Sequence, residues 1–229
     1  MAVTAFTPAE VQEYNSQLPY VDKVLMVNGL ITPASSAAIR SIPSKLLAWW
    51  CRERGVYGIP SYELLDIIKQ RIPDCSKFIE VGGGNGVFGR ALDIPSTDSM
   101  IQNTPEMQLY YSMLGQATTQ YGANVEHIEA SDAINKYAPD IVFGSWVTQY
   151  VSPLETNTPE GGGSIYGLRE DEFINKLSMY IVYGNDAVHG KKALFKRRDL
   201  NVAVIRDTDN FFSRAVDHTL NALYIVTHK

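Results

Sequence analysis

The stretch Phe78-Ile79-Glu80-Val81-Gly82-Gly83-Gly84-Asn85-Gly86-Val87-Phe88-Gly89-Arg90 holds the residues of this chain best suited to bind a ligand. A short apolar run carries an acid near its end, passes through clustered glycines, and gives way to apolar residues at helical spacing. A strand turning into a helix around a nucleotide has this pattern, because a tight turn and close backbone approach both need positions without a Cβ. Gly84, Gly86 and Gly89 match the Gly-x-Gly-x-x-Gly dinucleotide fingerprint literally. In that register, however, the strand would have to run through Gly82 and Gly83. Read from Gly82, the run becomes Glu80-x-Gly82-x-Gly84-x-Gly86, with the acid inside the strand end, where it would repel a pyrophosphate and attract a cation.

The second register resembles motif I of the class I S-adenosylmethionine-dependent methyltransferases. The resemblance implies that Glu80, Gly82, Gly84, Asn85 and Gly86 hold the methionine part of the cofactor, which carries an ammonium and a sulfonium but no phosphate. It also implies that Asp98, beside Ser99, grips the ribose hydroxyls from the end of the second strand; a turn-forming Asp is the plainer reading. After the third strand, Asp132 followed by Ala133 is the implied partner of the adenine amino group, and a helix cap at Ser131 or Asp132 reads equally well. The run Pro139 to Tyr150 resembles motif IV, whose strand end faces cofactor and acceptor. There Ser145 is assigned to the cofactor and Trp146, Thr148 and Gln149 to the acceptor, although packing alone would also account for Trp146. His189 and Tyr150 are the candidate catalytic residues, with His189 as a base or acceptor contact.

Methyl transfer from a sulfonium is an in-line displacement, which needs alignment and exclusion of water more than it needs an acid or base. The expected function is therefore S-adenosylmethionine-dependent methyl transfer to a small-molecule or protein acceptor. Gly144-Ser145-Trp146-Val147 stands where enzymes that methylate exocyclic amines of DNA bases place Asp or Asn before Pro-Pro-aromatic. Cys75 precedes the glycine unit and is not in a Pro-Cys pair, which disfavours methylation at cytosine carbon. Two alternatives stay open: a catalytically silent relative that binds the cofactor or a protein partner, and an NAD-dependent oxidoreductase.

Composition narrows the field further. The chain has 229 residues, 45% hydrophobic and 20% charged, with a net charge of −5, which disfavours nucleic acid as a partner. One basic cluster, Lys191, Lys192, Lys196, Arg197 and Arg198, reads as a solvated surface or as a local site for an anionic substrate. Cys51 and Cys75 have no partner at a metal or redox spacing and are expected to be buried free thiols. The four histidines form no zinc pattern, so no metal is expected. Met1 to Tyr20 does not read as a signal peptide and no apolar run spans a membrane, so a cytoplasmic location is expected.

The elements that must position these residues fall into two parts. Thr7-Pro8-Ala9-Glu10 is a capping box opening a helix to about Leu18. Further helices are expected over 35–54, interrupted near Pro43 with Trp49 and Trp50 packing inward, and over 62–71 behind the cap Ser61. From Lys77 onward, short apolar runs alternate with amphipathic segments, as in a parallel sheet flanked by helices. Strands are expected near 77–82, 94–98, 125–130, 140–145, 179–184, 201–206 and 222–228, and helices near 86–92, 105–115, 132–137, 170–178 and 211–219. Gly161-Gly162-Gly163-Ser164 reads as a slack connection or a lid over the ligand crevice. The expected fold is α/β: a Rossmann-like seven-stranded methyltransferase sheet with helices on both faces over residues 76–229, behind a helical N-terminal cap over 1–75.

Overall fold

The computed structural model describes residues 6–152 and 163–229. The N-terminal part runs α1 (Pro8–Leu25), β1 (Met26–Val27), β2 (Leu30–Ile31), α2 (Ser36–Arg40), α3 (Ser44–Arg54), β3 (Gly58–Ile59) and α4 (Tyr62–Lys69). Then follow β4 (Phe78–Val81), α5 (Val87–Leu92), β5 (Ser96–Asp98), α6 (Pro105–Met113), β6 (Val125–His127), α7 (Ala130–Tyr137), β7 (Ile141–Ser145), β8 (Gln149–Tyr150) and β9 (Gly163–Ser164). The chain closes with α8 (Glu170–Phe173), β10 (Met179–Asn185), α9 (Asp186–His189), β11 (Leu200–Ile205), β12 (Phe212–Ser213) and β13 (Asn221–His228).

Seven strands form one sheet in the order β11-β13-β10-β7-β4-β5-β6. β13 runs antiparallel to both β10 and β11, while the pairs from β10 through β7, β4 and β5 to β6 are parallel. Each of the seven lies where the sequence places a strand. Every residue of β4 is buried, as expected of a central strand covered on both faces. Successive residues enter opposite layers. Phe78, Ile141, Phe143, Ile181, Tyr183 and Leu223 join a cluster with α1 to α5, whereas Ile79, Val142, Val182 and Tyr224 join one with α7 and α8. The N-terminal helices therefore share a core with one face of the sheet.

Several elements depart from the local pattern. α1 carries on through Pro19 to Leu25 instead of ending near Leu18. Pro19 removes one ladder bond, but the two turns beyond it bury Val21 and Leu25, and Asp22 accepts from Trp50 Nε1 at 2.7 Å and Arg54 Nη2 at 2.7 Å. The first 75 residues are not all helical either. Asn28 and Gly29, both at positive φ, turn a two-residue hairpin between β1 and β2, the turn that an Asn-Gly pair favours. The helix expected over 211–219 is replaced by β12, which pairs with β3 across Phe212↔Ile59. Pairing there buries both Phe211 and Phe212 against the N-terminal layer, and that tertiary gain overrides local helical spacing.

Burial also corrects two side-chain expectations. Cys51 is buried, its thiol pushed up to about 12, but Cys75 is exposed. Lys192, expected within a solvated basic cluster, has no exposed surface; its ammonium meets the Glu170 carboxylate, which also accepts from Tyr180 Oη at 2.9 Å. Gly161 and Gly162 lie outside the described residues, while Gly163 and Ser164 form β9 beside β8. Among the described residues, no helix is long and apolar enough to cross a membrane, and no group of three His, Cys, Asp or Glu residues is placed to hold a metal ion.

Removing one partner of a buried ion pair strands the other charge. Glu170→Ala is expected to lower stability by about 3–5 kcal/mol in urea unfolding. Lys192→Met combined with Glu170→Gln should recover most of the loss, because Tyr180 keeps an acceptor and no charge is left unpaired.

Candidate active site

The glycine turn sits at the carboxyl end of β4. Gly82 and Gly84 take φ of +65° and +54°, which side chains other than glycine rarely adopt. Four amides of the turn are engaged within the protein. Gly83 N donates to Thr97 O at 2.9 Å, Gly84 N to Asp98 Oδ2 at 3.0 Å, Gly86 N to Gly83 O at 2.8 Å and Val87 N to Asn85 Oδ1 at 3.0 Å. A pyrophosphate site needs such amides to point outward at the ligand. Here they brace the turn.

Glu80 lies behind this turn and not inside the crevice. Its carboxyl is wholly buried, and Oε2 accepts from Gly89 N at 2.9 Å and from Ser96 Oγ at 2.6 Å, which ties β4 to α5 and β5. A Cβ on Gly83 would stand 2.9 Å from that same oxygen. Oε1 has no partner. Burial pushes the carboxyl up to about 7, and the nearby Asp98 charge adds to the rise. Glu80, expected to help hold the cofactor through charge-assisted or water-bridged contacts, does not line the crevice; it supports from behind the turn that does.

In front of the turn opens a crevice of about 280 Å³ between the carboxyl ends of β4, β5, β6 and β7. Order reverses in the sheet at β4, which carries β5 on one side and β7 on the other, and ligands of open α/β sheets bind at such a switch point. Of the residues singled out in the sequence, Gly82, Gly84, Asp98, Ser99, Ser145, Trp146 and Thr148 line this one crevice. Asp98 is held by Gly84 N and by Met100 N, the latter at 2.8 Å, and burial raises its carboxyl above the ordinary aspartate range.

The remaining candidates lie elsewhere. Asn85 borders a smaller adjoining hollow and Gly86 caps α5. Asp132 and Ala133 miss the crevice because α7 begins at Ala130, two residues earlier than expected; Asp132 turns to solvent and Ala133 into the core. The strip after β6 that does line the crevice is Ile128 to Ser131. Gln149 is turned away, its Oε1 accepting from Ala193 N at 2.7 Å, and Tyr150 lies under the Arg169 guanidinium at 3.7 Å. His189 is sealed beneath Trp146, with ring centroids 5.2 Å apart and its Nδ1 accepting from Asn185 N at 3.0 Å. Burial, with the Lys192 charge beside it, pushes the imidazole down to about 3, so it has neither access nor basicity for proton abstraction.

The structure adds residues that no motif announced. Tyr57 arrives from the N-terminal part, Met107 and Tyr111 from α6, and Thr119 and Tyr121 from the segment after it. Tyr57 and Tyr111 share a hydroxyl hydrogen bond of 2.7 Å. These positions are scattered in sequence and meet only because the N-terminal layer folds over the strand ends; Thr119 Oγ1, for instance, donates to Gly55 O at 2.9 Å.

Strand order and the single reversed strand β13 decide the architecture. The sheet is that of the Rossmann-like methyltransferase fold. No family model and no curated protein matches the chain. Among solved structures, it is similar to the E. cuniculi Mtq2–Trm112 complex, responsible for methylation of the eRF1 translation termination factor, at 17% identity and a TM-score of 0.40 over 73% of this chain and 93% of that one. It is also similar to SMU.776 complexed with SAH, at 8% identity and a TM-score of 0.38, covering 72% of this chain and 48% of that one. A third is the Pnkp1/Rnl/Hen1 RNA repair complex, at 12% identity and a TM-score of 0.37 over 98% of this chain and 58% of that one.

A carboxyl raised from 4.5 to about 7 binds a proton in the folded state that the unfolded chain releases. Stability should therefore fall as pH rises from about 4.5 to about 7, by about 3 kcal/mol in all. Glu80→Gln should flatten that slope when urea unfolding is compared at mildly acid and mildly alkaline pH, since the amide keeps an acceptor for Gly89 N. An unchanged slope would show that Glu80 ionises normally in its burial.

Proposed function

We propose that this protein binds S-adenosylmethionine in the crevice at the end of β4 and transfers its methyl group to a small-molecule or protein acceptor. The observation that carries the reading is the Asp98 carboxylate at the end of β5, which is anchored to the Gly84 amide and lines the crevice. Each of its oxygens accepts one backbone amide, which leaves lone pairs for ribose hydroxyls. Four amides of the turn are already bound within the protein and the Asp98 carboxylate borders the crevice, where it would repel a phosphate, so the donor set fits a nucleoside with cationic groups better than NAD. When bound, the cofactor supplies an electrophilic methyl on its sulfonium.

The chain's own residues bind and align. Gly82 and Gly84 let the ligand approach the backbone, Asp98 and Ser99 orient the sugar, and Ile128 to Ser131 border the far end. Ser145, Trp146 and Thr148, together with Tyr57 and Tyr111, form the wall across which an acceptor would approach. Alignment and exclusion of water suffice for an in-line displacement, so the burial of His189 is compatible with turnover. A second reading, cofactor binding without turnover, draws on the placement of His189 and Tyr150 outside the crevice. Methylated product from any acceptor would eliminate it.

Calorimetric titration with S-adenosylhomocysteine should detect binding, and Asp98→Asn should weaken it at least about tenfold, the loss of one charge-assisted contact. Gly84→Val should abolish it, because the position has φ of +54° and an added Cβ would stand 3.2 Å from Thr119 Cγ2. Thermal stabilisation by NAD but not by S-adenosylhomocysteine would refute the assignment.

A further inference from the structure

Trp146 has a backbone φ of +59°, the left-handed region, which a bulky side chain adopts only when its surroundings impose it. The surroundings here are built to do so. Val147, the next residue, is wedged between the ends of β4 and β7: a Cβ on Gly82 would meet its Cγ1 at 2.6 Å, and one on Gly144 would meet its Cγ2 at 2.7 Å. The Trp146 amide donates to Tyr183 O on β10 at 2.8 Å. Its indole stands perpendicular to the buried His189 ring, and that ring is itself admitted only because Gly184 has no Cβ, which would lie 2.5 Å from Nδ1. Three glycines, one just past β4 and one each on β7 and β10, thus clear the space that sets one tryptophan in the crevice wall. Packing alone does not require a strained tryptophan at a strand end.

Beside this indole stands Tyr57, with ring centroids 6.3 Å apart and the planes tilted by 45°. Its hydroxyl is fixed by Tyr111, and the Arg214 guanidinium covers its ring at 4.4 Å. Both rings line the crevice, so the acceptor side of the site presents a fixed aromatic corner. Flat π-faces held at fixed angles select flat ligands, because offset or edge contacts to a planar ring add to simple burial while a flexible aliphatic chain must first be ordered.

The geometry points to a planar aromatic acceptor, seated against Trp146 with Tyr57 as its second wall; the inference rests on the methyl-transfer reading above. In the reaction, a nitrogen or oxygen on the aromatic ring gives its lone pair to the methyl carbon, and the carbon–sulfur bond breaks with its electrons left on sulfur. Positive charge passes from sulfur to the acceptor, which either releases a proton to water or remains a methylated cation facing the rings.

The test separates the two levels. Binding of S-adenosylhomocysteine is measured first, and its absence would sink the methyl-transfer reading itself. With that ligand saturating, quinoline, catechol and aniline are titrated by calorimetry beside butylamine and a glutamine-containing peptide, and each is then offered to the protein with methyl-labelled S-adenosylmethionine. The expected result is binding and labelling of at least one aromatic probe. Trp146→Leu should raise its KM and Kd at least about tenfold while S-adenosylhomocysteine affinity stays within about twofold, and Trp146→Phe should restore most of the loss. Tyr57→Leu supplies a second, independent perturbation of the same wall. Labelling confined to butylamine or the peptide, failure of every aromatic probe with S-adenosylhomocysteine still bound, or a Trp146→Leu protein with unchanged acceptor KM and Kd would overturn the proposal.

Discussion

The buried carboxyl of Glu80 is the interaction on which the candidate site depends. A single oxygen, Oε2, receives the amide of Gly89 on α5 and the hydroxyl of Ser96 on β5 while the residue itself belongs to β4. Two strands and the helix after the glycine turn are thereby pinned at one point. Gly83 and Gly89 have no room for a Cβ because that point is occupied, so two of the glycines serve the clamp and not a ligand. The other oxygen stays unpaired, and burial raises the group toward neutrality. A charge-capable residue has been used for its geometry, at an electrostatic cost that a neutral hydrogen-bonding residue would not incur.

Asp98 shows how the same residue class takes the complementary role. It too is largely enclosed, yet both its oxygens are held by backbone amides and it borders the crevice. Two carboxyls flank one turn: Glu80 braces it from behind and Asp98 faces the space in front. Both side chains leave the same face, since Glu80 pairs with Ser96 and Asp98 lies two residues beyond it; Asp98 stands nearer the carboxyl ends of the strands, where the crevice opens, and Glu80 lies deeper.

The crevice is completed by residues from far away in sequence. The N-terminal layer packs on one sheet face in a single buried cluster, and the pairing of β3 with β12 ties it to the connection between β11 and β13. That layer delivers Tyr57 to the strand ends. α6 delivers Met107 and Tyr111 while burying none of its own residues; Arg52 holds its C-terminal side through Leu114 O at 2.6 Å and Gly115 O at 2.9 Å. The site is therefore a joint product of the sheet's switch point and of elements laid over it.

The glycine run and the seven apolar strand segments were legible because each is encoded by adjacent residues: a buried strand needs a short apolar run, and a tight turn needs glycine. The same locality placed Gly82, Gly84, Asp98, Ser99, Ser145, Trp146 and Thr148 near one another at strand ends. It failed wherever direction or distant pairing decided. A two-residue difference in the start of α7 rotated Asp132 away from the crevice. A turn at positive φ put Trp146 in front and left His189 sealed behind it, and the pairing of β12 with β3 replaced a helix that local spacing favoured. By itself the sequence determined the sheet, the turn and the acid beside it, since these depend on residue type along the chain. Which acid faces the ligand, which histidine is buried, and which tyrosines wall the pocket were decided only by the tertiary structure, because side-chain direction and long-range burial are properties of the packed layers and not of any local window.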